Sequence, residues 1–503
     1  MFGVQIGILL AANGYACRSK AILHGECNRK DCAVGSMRGW FVVRIPIALV
    51  LGAALFCSSA NAFESAFWVW QRNEPLSDPE RAELSAQGVR TIYWQVGELE
   101  NVGETWRWKA RFALPRTGSG ELRCVPVVRL ESRERSPFAT RSLEALLSAL
   151  SPVTKGADEL QIDYDAPDRL VGEYAGALKK IHALVPKLGI TALPGWSRSA
   201  VWRVLEGSVD ELLPMLYDFE PDPVIEGAAP LPLLDPEKLE RSLAAWSQCQ
   251  IAWRAGLPSF ARVTLFDPSG KSRGHIREWS WDALGFNKSL GTLRPTGLGV
   301  TVFKASAATR VTNTPVKVDQ LLAVRWPDRA GLARVIDQVK KTNARGLVFF
   351  RLPDSTAPSG WSLRQLGHLD ATPRLVLRKA GTPAQLELVN ESDADLEPRL
   401  SGAEGKGELD RGYALELDAS AAVFRDAPEG DFWRVVGQGD PENAPRSVAV
   451  PLATRLTFWF SHLRARQSLR TGMIQLAPGA NFDQIRYRVR NAPGDPVWKN
   501  IDE

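Results

Sequence analysis

The chain predicts an α/β protein, a (β/α)8 barrel of the TIM type followed by a β-sandwich-like domain. Three observations lead there. From Phe63 to about Pro353, short apolar runs alternate with segments of helical period, the pattern of parallel strands joined by helical crossovers. Several of these runs end in an acidic residue, at the strand tips where such barrels place their chemistry. Beyond Thr372 the helical periods stop, and short alternating runs separated by Gly, Asn, Asp and Pro turns take over. The resulting division is a leader and signal peptide over 1–62, a barrel over 63–353 with an insertion at about 267–317, a connector over 354–372 and a sandwich-like domain over 373–503.

The first apolar run is Ala66–Trp70, and Asp78-Pro79-Glu80 then starts a helix with Asp as N-cap and Pro at the first helical position. The second run, Thr91–Val96, closes on Glu98, and the third, Cys124–Leu130, closes on Glu131. A helix over about Arg141–Leu150 carries Leu143, Leu146, Leu147 and Leu150 on one face. The fourth run leads into Asp163 and Asp165, and the helix from Asp168 buries Val171, Tyr174, Leu178 and Ile181. Strand five is Gly189–Leu193 and strand six Leu212–Tyr217, followed by Asp218, Glu220 and a Pro-rich loop that ends on the Asp235-Pro236 helix start. Strand seven is read at Ser259–Phe266. A Gly-, Ser- and Thr-rich insertion follows over the barrel mouth, then a helix over Asp328–Lys341 and strand eight at Gly346–Leu352, which makes eight strand–helix units. The runs Arg374–Arg378, Ala384–Val389, Ala414–Leu417, Leu456–Phe460 and Gln484–Arg488 outline the last domain.

Composition narrows the function. The 503 residues are 45% apolar and 24% charged with a net charge of +5, and no Lys/Arg cluster is interleaved with aromatics, which argues against a nucleic-acid partner. Arg38 and Arg44 precede the apolar run Ile45–Phe56, and Ala60-Asn61-Ala62 supplies a small-x-small cleavage pattern before Phe63, so the N-terminus reads as an export signal with Met37 as an alternative start. The expected location is the bacterial periplasm or the exterior, with membrane contact only through the signal segment if it stays uncleaved. Four of the six cysteines fall in this leader, and Cys124 and Cys249 read as two buried thiols. Five His and no zinc-like spacing give no reason to expect a metal, and no cofactor motif is present.

The stretch Asp158–Pro167 holds the strongest chemical signal. Alternation puts Gln161, Asp163 and Asp165 on one face of the strand and Ile162 and Tyr164 on the other. Two neighbouring carboxylates repel, so one should titrate high unless a cation intervenes. Two solvated Asp, one of them starting the next helix, fit the same spacing.

Several runs resemble glycoside hydrolase family 18, the chitinase-like barrels. That family's fourth strand carries D-G-x-D-x-D-x-E; Asp158 and Asp163 match its first and third acids, Gln161 stands at the second and Asp165 at the acid/base Glu. Met215-Leu216-Tyr217-Asp218 matches its M-x-Y-D, Gly256–Arg262 its G-x-P-x-Y-G-R, and Phe350 its last-strand aromatic. The whole chain is also similar to an exported bacterial family of the DUF3142 type, through Phe67–Arg72, Tyr93–Leu99, Ile162–Asp165 and Thr191–Trp196. The first resemblance implies a glycoside hydrolase acting on a polysaccharide or glycan. Asp165 would be its acid/base and Asp163 its electrostatic partner. Tyr217 and Asp218 would orient the sugar, Trp94, Trp196 and Phe350 would be platforms, and Glu98, Glu131 and Gln161 would be further binding groups. Asp165 is one methylene shorter than Glu, so its reach to a glycosidic oxygen is shorter by more than a bond length. A non-catalytic, lectin-like envelope protein on the same barrel is the alternative, and a structural partner of another envelope protein a third reading.

Overall fold

A computed structural model of the chain describes residues 63–115, 122–199, 201–219, 232–296, 298–354, 360–381, 384–400, 412–439, 446–494 and 496–501. The leader, Glu220 and most of the Pro-rich loop after it lie outside the described residues.

In chain order the strands are β1 (Glu64–Val69), β2 (Thr91–Val102), β3 (Thr105–Arg111), β4 (Arg123–Ser132), β5 (Glu159–Asp163), β6 (Lys187–Ala192), β7 (Glu211–Pro214) and β8 (Ala252–Pro258). Then come β9 (Arg262–Phe266), β10 (Ser272–Ile276), β11 (Leu290–Thr296), β12 (Val300–Ala305), β13 (Thr309–Val311), β14 (Thr314–Val316), β15 (Leu321–Arg325) and β16 (Gly346–Phe350). One sheet runs β1-β16-β8-β7-β6-β5-β4-β2-β3, and parallel pairing of β1 with β2 closes eight of its strands into a barrel, with β3 outside the ring. This is the TIM-type barrel expected from the alternation.

Helices α1 (Asp78–Ala86), α2 (Thr140–Thr154), α3 (Val171–His182), the short α4 (Trp196–Ser199), α5 (Pro236–Trp246), the short α6 (Trp281–Gly285) and α7 (Arg329–Val339) follow the chain around it. Their apolar faces, among them Leu143, Leu146 and Leu150 of α2 and Leu332, Val335 and Val339 of α7, pack on outward strand residues such as Ile92, Ile162 and Ile190 in one core. The N-cap of α1 is Ser77, one residue before the Asp78 expected from sequence. Its hydroxyl accepts from the Glu80 amide while the Glu80 carboxylate accepts from the Ser77 amide, so two otherwise orphaned N–H groups are satisfied at once.

Two connections depart from the sequence reading. Among the described residues no helix follows β2; the strand turns at Gly103, which sits at φ +62°, and returns as the antiparallel β3. The seventh barrel strand is β8, ending at Pro258, which pairs in parallel with β7 and β16. Arg262–Phe266, read as that strand, instead opens a five-stranded antiparallel sheet in the order β10-β9-β15-β12-β11, so the insertion has a sheet core running from Arg262 to Arg325. C-terminal to the barrel, a three-stranded sheet that includes Leu375–Lys379 faces a six-stranded sheet that includes Tyr413–Ala419 and Arg455–Phe460. Leu377 and Leu388 from the first share an apolar core with Leu415 and Phe458 from the second, a sandwich-like arrangement.

The barrel interior is closed at its N-terminal end by an ionic layer. Arg254 binds Glu211 at 3.0 Å and Glu64 at 2.9 Å, Lys187 reaches Glu159 and Glu211 at 3.2 Å each, and Tyr93 Oη donates to Glu211 at 3.2 Å. Each buried charge has an opposite partner, as burial requires. The floor leaves the C-terminal mouth as the open end.

Candidate active site at the barrel mouth

Strand pairing builds the mouth in layers. Glu98 on β2, Arg129 on β4 and Asp163 on β5 are consecutive register partners, and one layer deeper lie Gln95, Val127 and Gln161. A bulge between Gln95 and Gly97 lets Glu98 share the inward row with Arg129, although simple alternation from Gln95 would point it outward. Gly97 is required there, because a Cβ would sit 2.4 Å from the Trp108 ring and 2.6 Å from the Ala110 carbonyl oxygen.

Asp163 is buried, and its Oδ1 accepts from Thr191 Oγ1 at 2.7 Å. Burial pushes its carboxyl up to about 6, the Asp165 charge adds to the rise, and the Thr191 hydrogen bond and Arg129 oppose it. Asp165 lies past the end of β5 with 57% of its side chain exposed. Arg129 stands between the acids, its Nη1 3.9 Å from Asp163, its Nη2 3.9 Å from Asp165 and its Nε 3.4 Å from Glu131. Lys109, projecting from β3, bonds Glu98 at 2.9 Å and Glu131 at 2.8 Å. Contact with Glu98 and with Lys109 holds the Glu131 carboxyl below the usual range. Arg129, Glu131 and Asp165 line a cleft of about 690 Å³ that runs outward from the mouth between the β2–β3 hairpin and the segment after β5.

On the other side of the mouth the Phe350 ring is the centre of an aromatic group. Its centroid lies 5.5 Å from Trp70, 5.9 Å from Phe260, 6.1 Å from Trp68 and 6.3 Å from Tyr217, against which it stacks. Trp70, Phe260 and Phe350 keep part of their surface open, whereas Tyr217 is buried. Asp218, at φ +52°, gives its carboxylate to Arg262 on β9 and, at 3.3 Å, to Arg325 on β15, so it ties the inserted sheet to the mouth.

The structure therefore brings Glu98, Glu131, Asp163 and Asp165 together and sets Phe350, Tyr217 and Asp218 on the same rim. Gln161 lies beneath them, fully buried, with its Oε1 accepting from Trp68 Nε1 at 3.0 Å. Trp94 and Trp196 correct the sequence reading: both are wholly buried in the layer between strands and helices, and neither offers a ring face to a sugar. Lys109, Arg129, Thr191, Trp70, Phe260 and Arg325 were not singled out from sequence. Arg129 could have been, since it lies two residues before Glu131 and hence on the same strand face. Lys109 carries no such signal, because only the β2–β3 hairpin brings it to Glu98 and Glu131. Among the described residues no group of three or more His, Cys, Asp or Glu is arranged to hold a metal. Cys124 and Cys249 are free thiols, the first partly exposed and the second buried.

No protein-family model and no curated protein sequence matches the chain. Among solved structures it is similar to the spore cortex-lytic enzyme SleL of Bacillus megaterium QM B1551, at 13% identity over 58% of this chain and 71% of that one, with a TM-score of 0.41. It is also similar to a chitinase from Chromobacterium violaceum ATCC 12472, at 13% identity over 59% and 96% with a TM-score of 0.40. A third is a glycoside hydrolase family 18 N-acetylglucosaminidase from Paenibacillus barengoltzii, at 12% over 57% and 95% with a TM-score of 0.37. The barrel assignment rests on the strand order and its closure, not on these likenesses.

Proposed function

We propose that the chain is a glycoside hydrolase, exported to the periplasm or beyond, that cuts a polysaccharide or glycan at the barrel mouth. Asp165 is the proton donor and Asp163 its electrostatic partner. The observation that carries this reading is the pairing at the barrel mouth of a buried Asp163, held by Thr191, with Asp165 two residues further on, which is exposed and lines an open cleft. Asp165 reaches out to protonate the glycosidic oxygen as its bond to the anomeric carbon breaks. Asp163, once ionised, lies where positive charge on the sugar ring would be stabilised. The part-exposed rings of Trp70, Phe260 and Phe350 offer flat apolar surface for a sugar face.

The motif positions support the reading independently, because the fourth-strand acids, the Tyr217-Asp218 pair and Phe350 all come to one rim. The proposal also takes the chain as a member of the exported DUF3142-type family. N-terminal sequencing of the mature protein, beginning at Phe63, would test its export.

The function is tested by incubating purified protein with a glycan panel and measuring new reducing ends. Asp165→Asn should lose about 10²- to 10⁴-fold, the range for removing a general acid. Wild-type rates in both Asp163→Asn and Asp165→Asn would refute the assignment. The shorter reach of Asp165 favours a second reading, a binding protein on the same cleft, for which saturable glycan binding without new reducing ends is the expected result.

A further inference from the structure

The outer face of the six-stranded sheet in the C-terminal domain carries a surplus of positive charge. Leu415, Leu417, Phe458 and Tyr487 point into the domain core, so alternation sends their strand neighbours outward. Pairing sets Arg486 and Arg488 of strand Ile485–Arg490 beside Asp418 and Glu416, and Arg455 beside Asp418 from the other side. Arg490 and Arg434 stand one row further along. Among the described residues of these strands, five arginines therefore share the face with two carboxylates. Glu416 takes Arg488 at 2.6 Å and Arg490 at 3.4 Å, and Asp418 takes Arg455 at 2.9 Å and Arg486 at 3.2 Å. Each acid balances one of its two guanidiniums, and the rest of the charge stays on the face.

Trp498 lies within this network. The guanidinium carbons of Arg488, Arg455 and Arg486 sit 4.4, 4.9 and 5.7 Å from its ring centre, and the ring is half-buried. Cations packed on an aromatic ring are held in place by it. Three of them around one ring also repel one another, and an anion from outside would relieve that repulsion. Such an anion has access, because Arg486 and Arg490 keep 57% and 35% of their side-chain surface open. Ion pairs that only stitched the strands together would need no surplus of one sign.

The chemistry of the face narrows what that anion is. An arginine fork takes a carboxylate or a sulfate through paired N–H···O bonds. A part-open indole takes the apolar face of a sugar ring. Both are present within one network, which matches a sugar unit bearing a negative group. Arg486, Arg488 and Arg490 recur along one strand at about 6 to 7 Å, a row of charges that suits a chain of such units better than a single one. We propose that this sheet face binds an acidic polysaccharide, whose units carry carboxylates or sulfates, at a site separate from the barrel mouth. Arg486, Arg488 and Arg490 take the anionic groups and Trp498 takes a ring face. The proposal stands whether or not the barrel hydrolyses a glycan.

The test is titration calorimetry of the full chain with polygalacturonate, which carries carboxylates, and with dextran sulfate, against neutral dextran as the control. At least one acidic polymer should bind at ~50 mM salt and weaken about tenfold or more at ~500 mM, while dextran should not bind. Arg486→Gln with Arg488→Gln should weaken binding about tenfold or more at an unchanged melting temperature. Should the double variant unfold, Arg486→Gln alone, at the most open of these positions, gives the same reading. Trp498→Leu should weaken binding and Trp498→Tyr should largely keep it. Asp165→Asn should bind as the wild type does, and a loss in that variant would place the polymer in the barrel cleft and overturn the proposal. Binding equal in the arginine variants and the wild type overturns it too, as does no binding of either acidic polymer. Polyglutamate bound as tightly as the glycans, with Trp498→Leu without effect, would reveal a bare charge patch and overturn the sugar assignment.

Discussion

At the residue scale, Asp163 trades stability for its setting. An ordinary aspartate titrates at 3.8, and burial lifts this one to about 6 in the folded chain. Between those values the folded state binds more protons than the unfolded state, so stability falls as pH rises through that window and stays lowered above it. The gap corresponds to ~3 kcal/mol. Asn resembles the protonated form and can still accept from Thr191. We therefore expect Asp163→Asn to gain up to ~3 kcal/mol at about pH 8 and almost nothing at about pH 4, read by urea unfolding at both. A gain equal at the two pH values would show that ionisation is not its cause. The shared face of Asp163 and Asp165 was legible in the spacing alone, as was the expectation that one would titrate high. What the spacing could not supply was the cations. Arg129 and Lys109 arrive from two other strands, and only pairing register places them. The error over Trp94 and Trp196 is of another kind. A strand-end aromatic suggests a platform by its type, whereas Trp94 alternates with the inward Tyr93 and Gln95 and so faces the helices.

At the scale of elements, one carboxylate ties two strands of the inserted sheet to the barrel mouth. Arg325 on β15 has a side chain only 2% exposed, and Asp218 is its partner at 3.3 Å while also holding Arg262 on β9. Asn keeps the shape of Asp and tolerates the positive φ of this position, so Asp218→Asn removes little besides the charge. Leaving Arg325 buried without that partner should cost about 3 to 5 kcal/mol. Limited proteolysis should then open β9–β15 before the barrel, and a wild-type cleavage pattern would show that other contacts hold the sheet. The sequence signalled this insertion by its loss of helical period, but not its sheet. Arg262–Phe266 reads as a barrel strand because its apolar alternation is that of any strand. What distinguishes it is the Pro258 that ends β8 just before. The hairpin after β2 was hidden for a similar reason: Trp106, Trp108 and Ala110 alternate with Arg107, Lys109 and Arg111 at period two, yet a helix was expected at that point in the barrel repeat.

At the scale of the whole molecule, the barrel and the C-terminal sheets are latched by a buried carboxylate that no motif announced. Asp395, 1% exposed, accepts from the Ser362 amide and hydroxyl at 2.7 Å each, from the Ala465 amide at 2.8 Å and from Arg464 Nη1 at 3.0 Å. Ser362 caps the short helix Leu363–Gly367, and that segment is itself fixed to the barrel, since Trp361 Nε1 donates to the Pro327 carbonyl at 2.7 Å and Gln87 donates to the Leu363 carbonyl at 2.9 Å. Ser362 is thus a barrel-bound donor, while Ala465 and Arg464 belong to the C-terminal domain, and one carboxylate satisfies both sides. A second contact, the stacking of Phe286 from the insertion on Trp433 at 5.5 Å, is peripheral by comparison, because Trp433 remains 49% exposed. Removing the latch should therefore uncouple the two parts rather than merely loosen them. Asp395→Ala removes the shared acceptor of the Ser362 amide and hydroxyl, the Ala465 amide and Arg464, which keeps its bond to the Gly360 carbonyl at 3.0 Å, a loss of about 3 to 5 kcal/mol from the buried donors left unmet. Calorimetry of the wild-type chain should show one cooperative transition. The variant should show two, with the sandwich-like domain melting first because it has the smaller core. A single variant transition within about 1 °C of wild type would mean that the remaining contacts, among them Arg364 with Asp393 at 3.0 Å, Arg464 with the Gly360 carbonyl and the aromatic stack, hold the domains without it.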